Sequence, residues 1–359
     1  MSNQEAPTGT IPDFEAKIAG ADQTVASFAR DDKTLLHITR LFLRSYPTTI
    51  PALILIISII GFGLIEPRFL SAGALSTVLQ QVTVTGIVAI AQTLIILTAG
   101  IDLSVGAILV VSSLVMGNLA VNLGVPVPIA IAVGMFTGAV MGWINGILVA
   151  FVKLPPFIVT LGTLSVFSAL KLWYSASESI RNVDIDAKAP ALLWFGKSFQ
   201  SFGAKLTYGS ISLILLAVII WYVLNHTAWG RHVHAIGDDP ESAMLAGIRT
   251  KRTLVSVYVV AGLICGFAAW VAIGRVGSIS PQSFADVNLA SITAVVIGGT
   301  SLFGGRGSIV GSVLGAIIVG VFNTGLSLAG VDDYWQMFAA GCLVIIAVAL
   351  DQWLRRASQ

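Results

Sequence analysis

The stretch VTVTGIVAIAQTLIILTAG, residues 82–100, sets the character of the whole chain. It contains no charged side chain and has about the 20 residues that an α-helix needs to cross the hydrocarbon core of a bilayer. Comparable runs recur along the 359 residues, of which 56% are hydrophobic and only 11% are charged. Because soluble domains are typically about 25% charged, this composition predicts a membrane protein built from helices.

The apolar runs together predict an all-α membrane protein with about ten transmembrane helices. Residues 1–46 are polar and lack the pattern of a cleavable signal peptide, so we interpret them as a retained cytoplasmic arm. The transmembrane domain is then predicted to cover residues 47–356. The predicted spans are 47–65, 82–100, 105–124, 126–151, 156–176, 208–225, 254–274, 287–302, 308–328 and 334–354.

The distribution of basic residues predicts how the helices are oriented. With the N-terminus inside, ten spans return the C-terminus to the same side. The inside segments then include the basic arm, the 226–253 loop and the basic C-terminus, whereas the outside loop 177–208 carries nearly balanced charges. By the positive-inside rule, we expect both termini and the 226–253 loop to be cytoplasmic and the 177–208 loop to be periplasmic.

Charge, cysteine content and motif spacing exclude several classes of function. The formal net charge is only +2, so the sequence does not indicate the strongly basic surface that nucleic-acid binding requires. Cys265 and Cys342 lie in separate apolar runs and have no metal-binding spacing. The sequence GKS at 196–198 lacks the first glycine of a P-loop, because Ala191 occupies that position. We therefore predict no catalytic residue, no metal site and no cofactor on this chain.

Neutral polar side chains interrupt the predicted spans, whereas carboxylates and basic groups are almost absent from them. Since intramembrane charges usually mark proton relays or voltage sensors, neither function is indicated. Hydroxyl and amide groups suit a neutral polyhydroxy solute, but they also suit simple hydrogen bonding between helices, and both interpretations stay open. The candidate translocation-path residues are Gln92, Thr98, Asp102, Asn145, Thr160, Thr163, Gly298, Gly299 and Thr300.

Two segments break the apolar pattern sharply. In TAGIDLSVG at 98–106, we expect Gly100 to end one helix and Asp102 or Ser104 to cap the next. In GGTSLFGGRGS at 298–308, the glycine-rich backbone must be buried in protein or line a water-filled path, because lipid does not tolerate it. Elsewhere, glycines repeat every four residues at 134–142, which predicts close packing of the fourth span against a neighbouring helix.

The 226–253 loop contains signals for a short helix of its own, predicted over Asp239–Ala246. Asp239 is a plausible N-cap, proline follows at the first helical position, and Gly247 is a plausible stop. A helix of about two turns is marginal in water unless it packs on something, and the apolar residues 243–245 offer a contact surface. The candidate coupling residues are Asp238, Asp239, Glu241, Ala243 and Gly247.

These motifs resemble those of a known family. Glu241-Ser242-Ala243 followed by Gly247 resembles the Glu-Ala-Ala…Gly loop by which permeases of ABC importers dock on their ATPase, although alanine is usual at the position of Ser242. The resemblance to the monosaccharide, or ribose-type, branch runs from about residue 47 to 356. It is carried by LTAGIDLSVG at 97–106, LPPFIVTLG at 154–162, TAWGR at 227–231 and VVIGGTSLFGGRGS at 295–308.

The resemblance implies an ABC importer permease bundle in a bacterial inner membrane. It implies a permease dimer, two ATPase subunits that bind ATP and Mg²⁺, and a periplasmic sugar-binding protein that delivers a monosaccharide. Fructose is favoured, with ribose, mannose, xylose or another pentose left open, and the chain would not itself be an enzyme. Two alternatives remain. An ion-coupled secondary transporter of a small neutral polar solute needs a coupling site at broken helices, and an integral-membrane enzyme needs a nucleophile or a metal cluster.

Overall fold

The computed structural model describes residues 48–201, 203–332, 334–339, 341–342, 345 and 349, and the predicted polar arm, 1–46, lies outside them. A small antiparallel hairpin of β1 (Ser198–Ser201) and β2 (Ala204–Thr207) accompanies the helices. The described helices are α1 (Thr49–Ile65), α2 (Ala72–Leu97), α3 (Val105–Gly117), α4 (Val127–Ala150), α5 (Pro156–Ser175), α6 (Asn182–Lys188), α7 (Tyr208–His226), α8 (Ala228–Asp238), α9 (Pro240–Leu245), α10 (Thr250–Val276), α11 (Val287–Ile297) and α12 (Ile309–Leu328).

Seven of the described helices are long and apolar enough to cross a membrane: α2, α3 with the π-helical turn Asn118–Asn122 that continues it, α4, α5, α7, α10 and α12. Helices α1 and α11 are apolar but shorter. Each of these helices overlaps one of the predicted segments that fall within the described residues, and the tenth predicted span, 334–354, lies largely outside them. The described chain is therefore a multi-helix membrane bundle, as predicted.

Three predicted boundaries were wrong. Helix α2 begins at Ala72 instead of 82, because the Ser71 hydroxyl accepts the Ala74 amide at 3.1 Å and caps an earlier start. Helix α11 ends at Ile297 instead of 302, because Gly299 takes a left-handed conformation with φ of 81°. The predicted 226–253 loop is mostly helical, since α8, α9 and the first turn of α10 fall within it.

The glycine repeat in α4 packs directly on α10. A Cβ atom added to Gly138 would lie 2.4 Å from the Gly262 carbonyl oxygen, and one added to Gly142 would lie 2.1 Å from the Tyr258 carbonyl oxygen. Neither position has room for any side chain, so the two backbones are in contact. The predicted close packing of this glycine stripe is confirmed, and it joins two of the long helices into a rigid pair.

The connecting segments gather at two opposite ends of the bundle. The 177–208 segment meets the segment after α10, where Ile180 and Ile279 form a β-bridge and Asn182 Nδ2 donates to the Gly277 carbonyl at 2.9 Å. The 226–253 segment meets the two helix breaks, as described below. Helix α7 joins these two segments directly, so they lie at its opposite ends. The predicted cytoplasmic and periplasmic loops are therefore on different sides of the bundle.

Candidate coupling surface and translocation site

Helix α9 is bounded as its sequence predicts. Asp239 Oδ1 accepts hydrogen bonds from the amides of Glu241, at 2.9 Å, and Ser242, at 3.2 Å, and Pro240 occupies the first helical position. Gly247 has φ of 84° and follows the C-terminus. The hydrogen bonds from Ser242 and Glu241 hold the pKa of the exposed Asp239 carboxyl below its usual value. Local sequence thus fixes both ends of a helix too short to be stable alone.

The apolar residues of α9 point in different directions. Ala243 is 4% exposed, whereas Met244 is 59% exposed and Leu245 is 85% exposed. The predicted apolar surface is therefore divided: Ala243 is buried by the rest of the chain, and the two larger side chains project away from it. Asp238 and Glu241 are exposed around them. Exposed apolar side chains within a polar rim are typical of a surface that a partner protein covers.

Helix α8 precedes α9 and was not predicted. Thr227 caps it by accepting the Gly230 amide at 3.3 Å, and its inward face buries Val233 and Ile236. Trp229 Nε1 donates to Ser256 Oγ at 2.8 Å, which attaches α8 to α10. The signals for α8 are present in the sequence as the Thr227 cap and the three- and four-residue spacing of its apolar side chains.

Helix α8 lies against both helix breaks at a point that we call the junction, formed by Leu97, Gly237 and Gly305. The Gly305 amide donates to the Leu97 carbonyl at 3.0 Å, and His234 Nδ1 lies 3.1 Å from the Gly305 carbonyl oxygen. A Cβ atom on Gly237 would lie 1.7 Å from the Leu97 oxygen and 2.6 Å from the Gly305 nitrogen. One glycine position therefore connects the coupling loop to both broken segments.

The first break follows α2, and its geometry corrects the prediction that Gly100 ends the helix. The left-handed residue is Ala99, with φ of 59°. The Ala99 amide donates to the Ile96 carbonyl at 2.9 Å and the Gly100 amide to the Ile95 carbonyl at 3.1 Å, which is a Schellman motif. Gly100 instead provides space, because a Cβ atom there would lie 3.0 Å from the Tyr258 hydroxyl.

Asp102 is 1% exposed and stabilises the turn before α3. Its Oδ1 accepts from the Ser104 amide at 2.6 Å and the Ser104 hydroxyl at 2.7 Å, and its Oδ2 accepts from Asn145 Nδ2 at 3.3 Å. The predicted capping of the first turn of α3 was wrong, since the Gly106 amide donates to Asn288 Oδ1 instead, at 2.6 Å.

Side chains from two other helices hold the same turn. The Gln92 amide pairs with the backbone of Asp102 through two hydrogen bonds of 3.1 Å, and its orientation is assigned from those bonds. Thr160 Oγ1 donates to the Ile101 carbonyl at 3.0 Å. Asn145 Oδ1 and the Tyr258 hydroxyl are buried without a hydrogen-bond partner among the described residues. The first break is thus a buried polar site with unused hydrogen-bonding capacity.

The second break follows α11 and repeats the geometry of the first. Gly299 is the left-handed residue, and the Thr300 amide donates to the Val295 carbonyl at 3.2 Å, as in a Schellman motif. Thr93 Oγ1 donates to Ser312 Oγ at 2.7 Å, and Thr300 Oγ1 lies 3.5 Å from the same oxygen. These hydroxyl groups connect α2, the second break and α12.

The structure brings most of the candidate translocation-path residues to the two breaks. The side chains of the set are buried, and several are hydrogen-bonded to one another or to nearby backbone. Thr98 is the C-cap of α2 and donates to the Ile95 carbonyl at 2.8 Å, and Thr163 Oγ1 donates to the Thr160 carbonyl at 3.4 Å. At the breaks themselves lie Gln92, Asp102, Asn145, Thr160, Gly298, Gly299 and Thr300.

The arrangement has the features of a transport subunit. Within the described residues, no three His, Cys, Asp or Glu side chains cluster closely enough to hold a metal ion. The family model described as "Branched-chain amino acid transport system / permease component" matches residues 74–348. The chain belongs to this family. It is therefore a multi-pass membrane permease component of a transport system rather than an enzyme.

Named relatives resemble the permease along most of its length. It is 52% identical over 345 residues to the fructose import permease protein FrcC of Rhizobium meliloti, with 96% of both chains covered. It is 39% identical over 306 residues to the ribose import permease protein RbsC of Bacillus subtilis (84% of this chain, 92% of the relative). It is 34% identical over 304 residues to the D-allose transport system permease protein AlsC of Escherichia coli (84% and 91%). No solved structure matches the permease.

These relatives confirm the resemblance that the sequence motifs indicated. Two of the segments that carried it, 97–106 and 295–308, meet at the junction in the structure, and a third, 227–231, begins α8, whose later residues His234 and Gly237 contact that junction. The sequence analysis found each segment separately, but it gave no sign that they contact one another. The contacting residues are separated by roughly 70 to 210 positions in the sequence. Local sequence patterns do not predict contacts over such separations.

Proposed function

We propose that the permease is the membrane subunit of an ATP-driven ABC importer that carries a monosaccharide, and fructose above other sugars, inward across a bacterial inner membrane. The observation that carries this proposal is the 52% identity to a fructose import permease over 96% of both chains. Relatives named for ribose and allose support the wider sugar class. The neutral hydroxyl and amide groups around the two breaks also suit a polyhydroxy solute better than an aliphatic amino acid.

The proposed assembly contains two permease copies, two ATPase subunits that bind ATP and Mg²⁺, and a periplasmic sugar-binding protein. Helix α9 would dock on the ATPase through the exposed Met244 and Leu245. Its support is mechanical: α9 follows α8 after a single residue, and α8 contacts both breaks through Gly237. A movement of the ATPase would therefore reach the two broken segments through one short, rigid connection.

The translocation path is proposed to run beside the two breaks, bordered by the nine candidate path residues. In this structure the side chains of the seven residues other than glycine are buried. Opening of the path would separate the first break from the second and expose these groups to the solute. The unpartnered Asn145 Oδ1 and Tyr258 hydroxyl support this idea: a buried polar atom without a partner is costly in the closed state, so a state in which solute or water hydrogen-bonds to it is favoured by the bond gained.

The decisive experiment reconstitutes the permease in proteoliposomes with its own ATPase and binding protein. Uptake of labelled fructose, ribose, mannose, xylose and leucine is measured without ATP, with ATP inside or outside the proteoliposomes, and with ATP together with a protonophore. We expect ATP-dependent fructose uptake that survives the protonophore. Uptake that needs no ATP and collapses with the protonophore would instead establish an ion-coupled transporter, and preferred leucine uptake would overturn the sugar proposal.

The coupling role of α9 is tested by Gly247→Val, with Gly124→Val as its matched control. Both glycines have positive φ, 84° and 67°, and neither has an atom within 4 Å of an added Cβ, but Gly124 lies at the opposite end of the bundle. We expect Gly247→Val to misdirect the chain after α9 and to uncouple ATP hydrolysis from uptake, while Gly124→Val keeps them coupled. Glu241→Lys should likewise weaken co-purification of the ATPase. Normal uptake and hydrolysis in both coupling variants would reduce α9 to a connecting segment.

A further inference from the structure

The two helices that lead into the breaks differ greatly in length. Helix α2 has 26 residues and α11 has 11, so at about 1.5 Å per residue they rise roughly 39 Å and 16 Å. Helix α2 extends to the 177–208 segment, where Gln80 Nε2 donates to the Lys205 carbonyl at 2.8 Å. Both helices end at breaks that meet at the junction, so α11 stops well short of that opposite end. Residues 277–286 connect α10 to α11 through turns and a single β-bridge instead.

Contacts with α3 fix the depth of this connection. Where the connection begins, Ile279 packs on Gly117, which has no room for a Cβ atom. Where it ends, the Gly106 amide donates to Asn288 Oδ1 at 2.6 Å. Gly106 and Gly117 lie about 16 Å apart along α3, which is one of the helices long and apolar enough to cross a membrane. The residues between, 280–286, therefore cross about half of the membrane without a helix, and we call them the unwound segment.

The unwound segment leaves hydrogen-bonding groups open. The amides of Phe284, Ala285 and Asp286 have no hydrogen-bond partner among the described residues. Asp286 occupies the N-cap position of α11, but its side chain accepts no capping hydrogen bond. The side chains of Gln282 and Asp286 are exposed. Because lipid offers no hydrogen bonds, irregular backbone at this depth is tolerated only where protein covers it or where it borders water.

We propose that the unwound segment lines the translocation path towards the 177–208 segment, and that Gln282 and Asp286 hydrogen-bond to hydroxyl groups of the passing solute. This inference rests on the proposed import of a sugar and extends the path beyond the two breaks. An amide both donates and accepts, and a carboxylate accepts strongly, so the two side chains suit a polyhydroxy solute. A second permease copy is the weaker occupant, because the cores of protein interfaces are depleted of charged residues such as Asp286.

The first test measures whether water reaches the unwound segment. Single cysteines replace Ala285 and, as the control, Phe136 in a permease whose Cys265 and Cys342 are changed to alanine. Phe136 is 67% exposed on α4, between two glycines that pack on Ser112, so it lies at a similar depth on an apolar face. The variants are labelled with a charged thiosulfonate in nanodiscs, which leave both membrane faces open. Because the reagent reacts with the thiolate, which forms in water, we expect Ala285→Cys to react at least about tenfold faster than Phe136→Cys.

The labelled variants are then tested for transport. Each is reconstituted with the ATPase and the binding protein, and its fructose uptake is compared with that of its own unlabelled form. We expect labelling of Ala285→Cys to block uptake by obstructing the path. Equally slow labelling of both cysteines would overturn the proposal, and so would fast labelling of Ala285→Cys that leaves uptake unchanged. The labelling rates need no sugar, ATP or partner, so a failure there leaves the importer proposal standing.

The second test addresses the contact of Asp286 with the solute. We expect Asp286→Ala to lower the maximal rate of fructose uptake about tenfold through loss of a charged hydrogen bond, and Asp286→Asn, which keeps an acceptor, to recover most of that rate. The control Asp186→Ala removes an exposed carboxylate from the 177–208 segment and should keep the wild-type rate. A size-exclusion profile like that of the wild type verifies folding. An unchanged rate in Asp286→Ala, or an equal loss in Asp286→Asn, would overturn the proposed hydrogen bond.

Discussion

Both helix breaks interrupt regular helical hydrogen bonding, but different groups hold the irregular backbone in each. Each ends a helix in a Schellman motif, with Ala99 left-handed in the first break and Gly299 left-handed in the second. The first break is then held by side chains, mainly the carboxylate of Asp102 and the amide of Gln92. The second has hydroxyl contacts to α2 and α12, but its loop is closed mainly by backbone: the Ser301 amide donates to the Arg306 carbonyl at 2.9 Å, and two left-handed glycines, Gly304 and Gly305, lie between them.

The difference shows two ways to satisfy irregular backbone where lipid offers no hydrogen bonds. A buried side-chain network fixes one geometry, because each donor and acceptor has a specific partner. A glycine loop leaves the geometry open to small backbone changes. At the junction the second break donates a hydrogen bond to the first. We infer that the first break serves as the fixed element and the second as the adjustable one, and the four predictions that follow probe this contrast.

The largest expected effect concerns the side of the membrane on which both breaks lie. In a background with Cys265 and Cys342 replaced by alanine, a cysteine at Asp186 should react with an impermeant maleimide in intact cells. A cysteine at Arg249, at the end of the bundle that holds the breaks, should react only after the membrane is permeabilised, because the positive-inside rule places it in the cytoplasm. The reverse pattern of labelling would place the breaks and the coupling loop outside.

The junction itself is tested by Gly237→Ala, compared with Gly61→Ala. Alanine favours helix at both positions, so only the clash with the Leu97 carbonyl, 1.7 Å from the new Cβ, can destabilise the first variant. We expect a loss of about 1–3 kcal/mol or failure to assemble for Gly237→Ala. Gly61→Ala has open space and should keep or slightly raise the melting temperature in detergent. Equal melting temperatures would mean that α8 does not hold the two breaks together.

The fixed character of the first break is tested at Asp102. Asp102→Ala leaves the Ser104 amide and hydroxyl without their acceptor and removes one of the two acceptors of Asn145 Nδ2, so we expect a loss of about 1–3 kcal/mol. Asp102→Asn keeps one acceptor, and its new amide can donate to the unpartnered Asn145 Oδ1 after that side chain flips. The asparagine variant should therefore retain most of the thermal stability and transport. If both variants are stable but neither transports, the negative charge itself is required.

The smallest effect is expected from exchanging the two left-handed residues. Ala99→Gly should stabilise the first break by up to about 1 kcal/mol, and Gly299→Ala should destabilise the second by about the same amount, because a β-carbon is strained in this conformation. Melting temperatures of the two single variants give the signs. If Ala99→Gly lowers both stability and coupled uptake, the strained alanine contributes to the rigidity of the first break, which would strengthen the contrast.

Most of the fold could be predicted from the sequence because its signals are local. Apolar runs gave the helices, Asp239, Pro240 and Gly247 gave the bounded helix α9, and the glycine repeat at 134–142 gave the close packing against α10. Helix α8 was missed although its cap and apolar spacing were present, because its polar content resembled a loop. The early start of α2 was missed for the same reason, since the residues after Ser71 are not uniformly apolar.

Part of the candidate site was likewise predictable from local sequence, and the rest depended on the folded chain. Composition and local patterns alone predicted a helical membrane protein with two helix breaks and polar residues within them, and the resemblance of its motifs to a known family indicated a permease. The partners of those residues came from the folded chain: Asn145 reaches Asp102 across 43 residues, Thr93 reaches Ser312 across 219, and His234 reaches Gly305 across 71. Helix and turn propensities act over a few residues and are written in local sequence. Contacts between distant segments follow from how the helices pack together, so the junction and the buried carboxylate network required the tertiary structure.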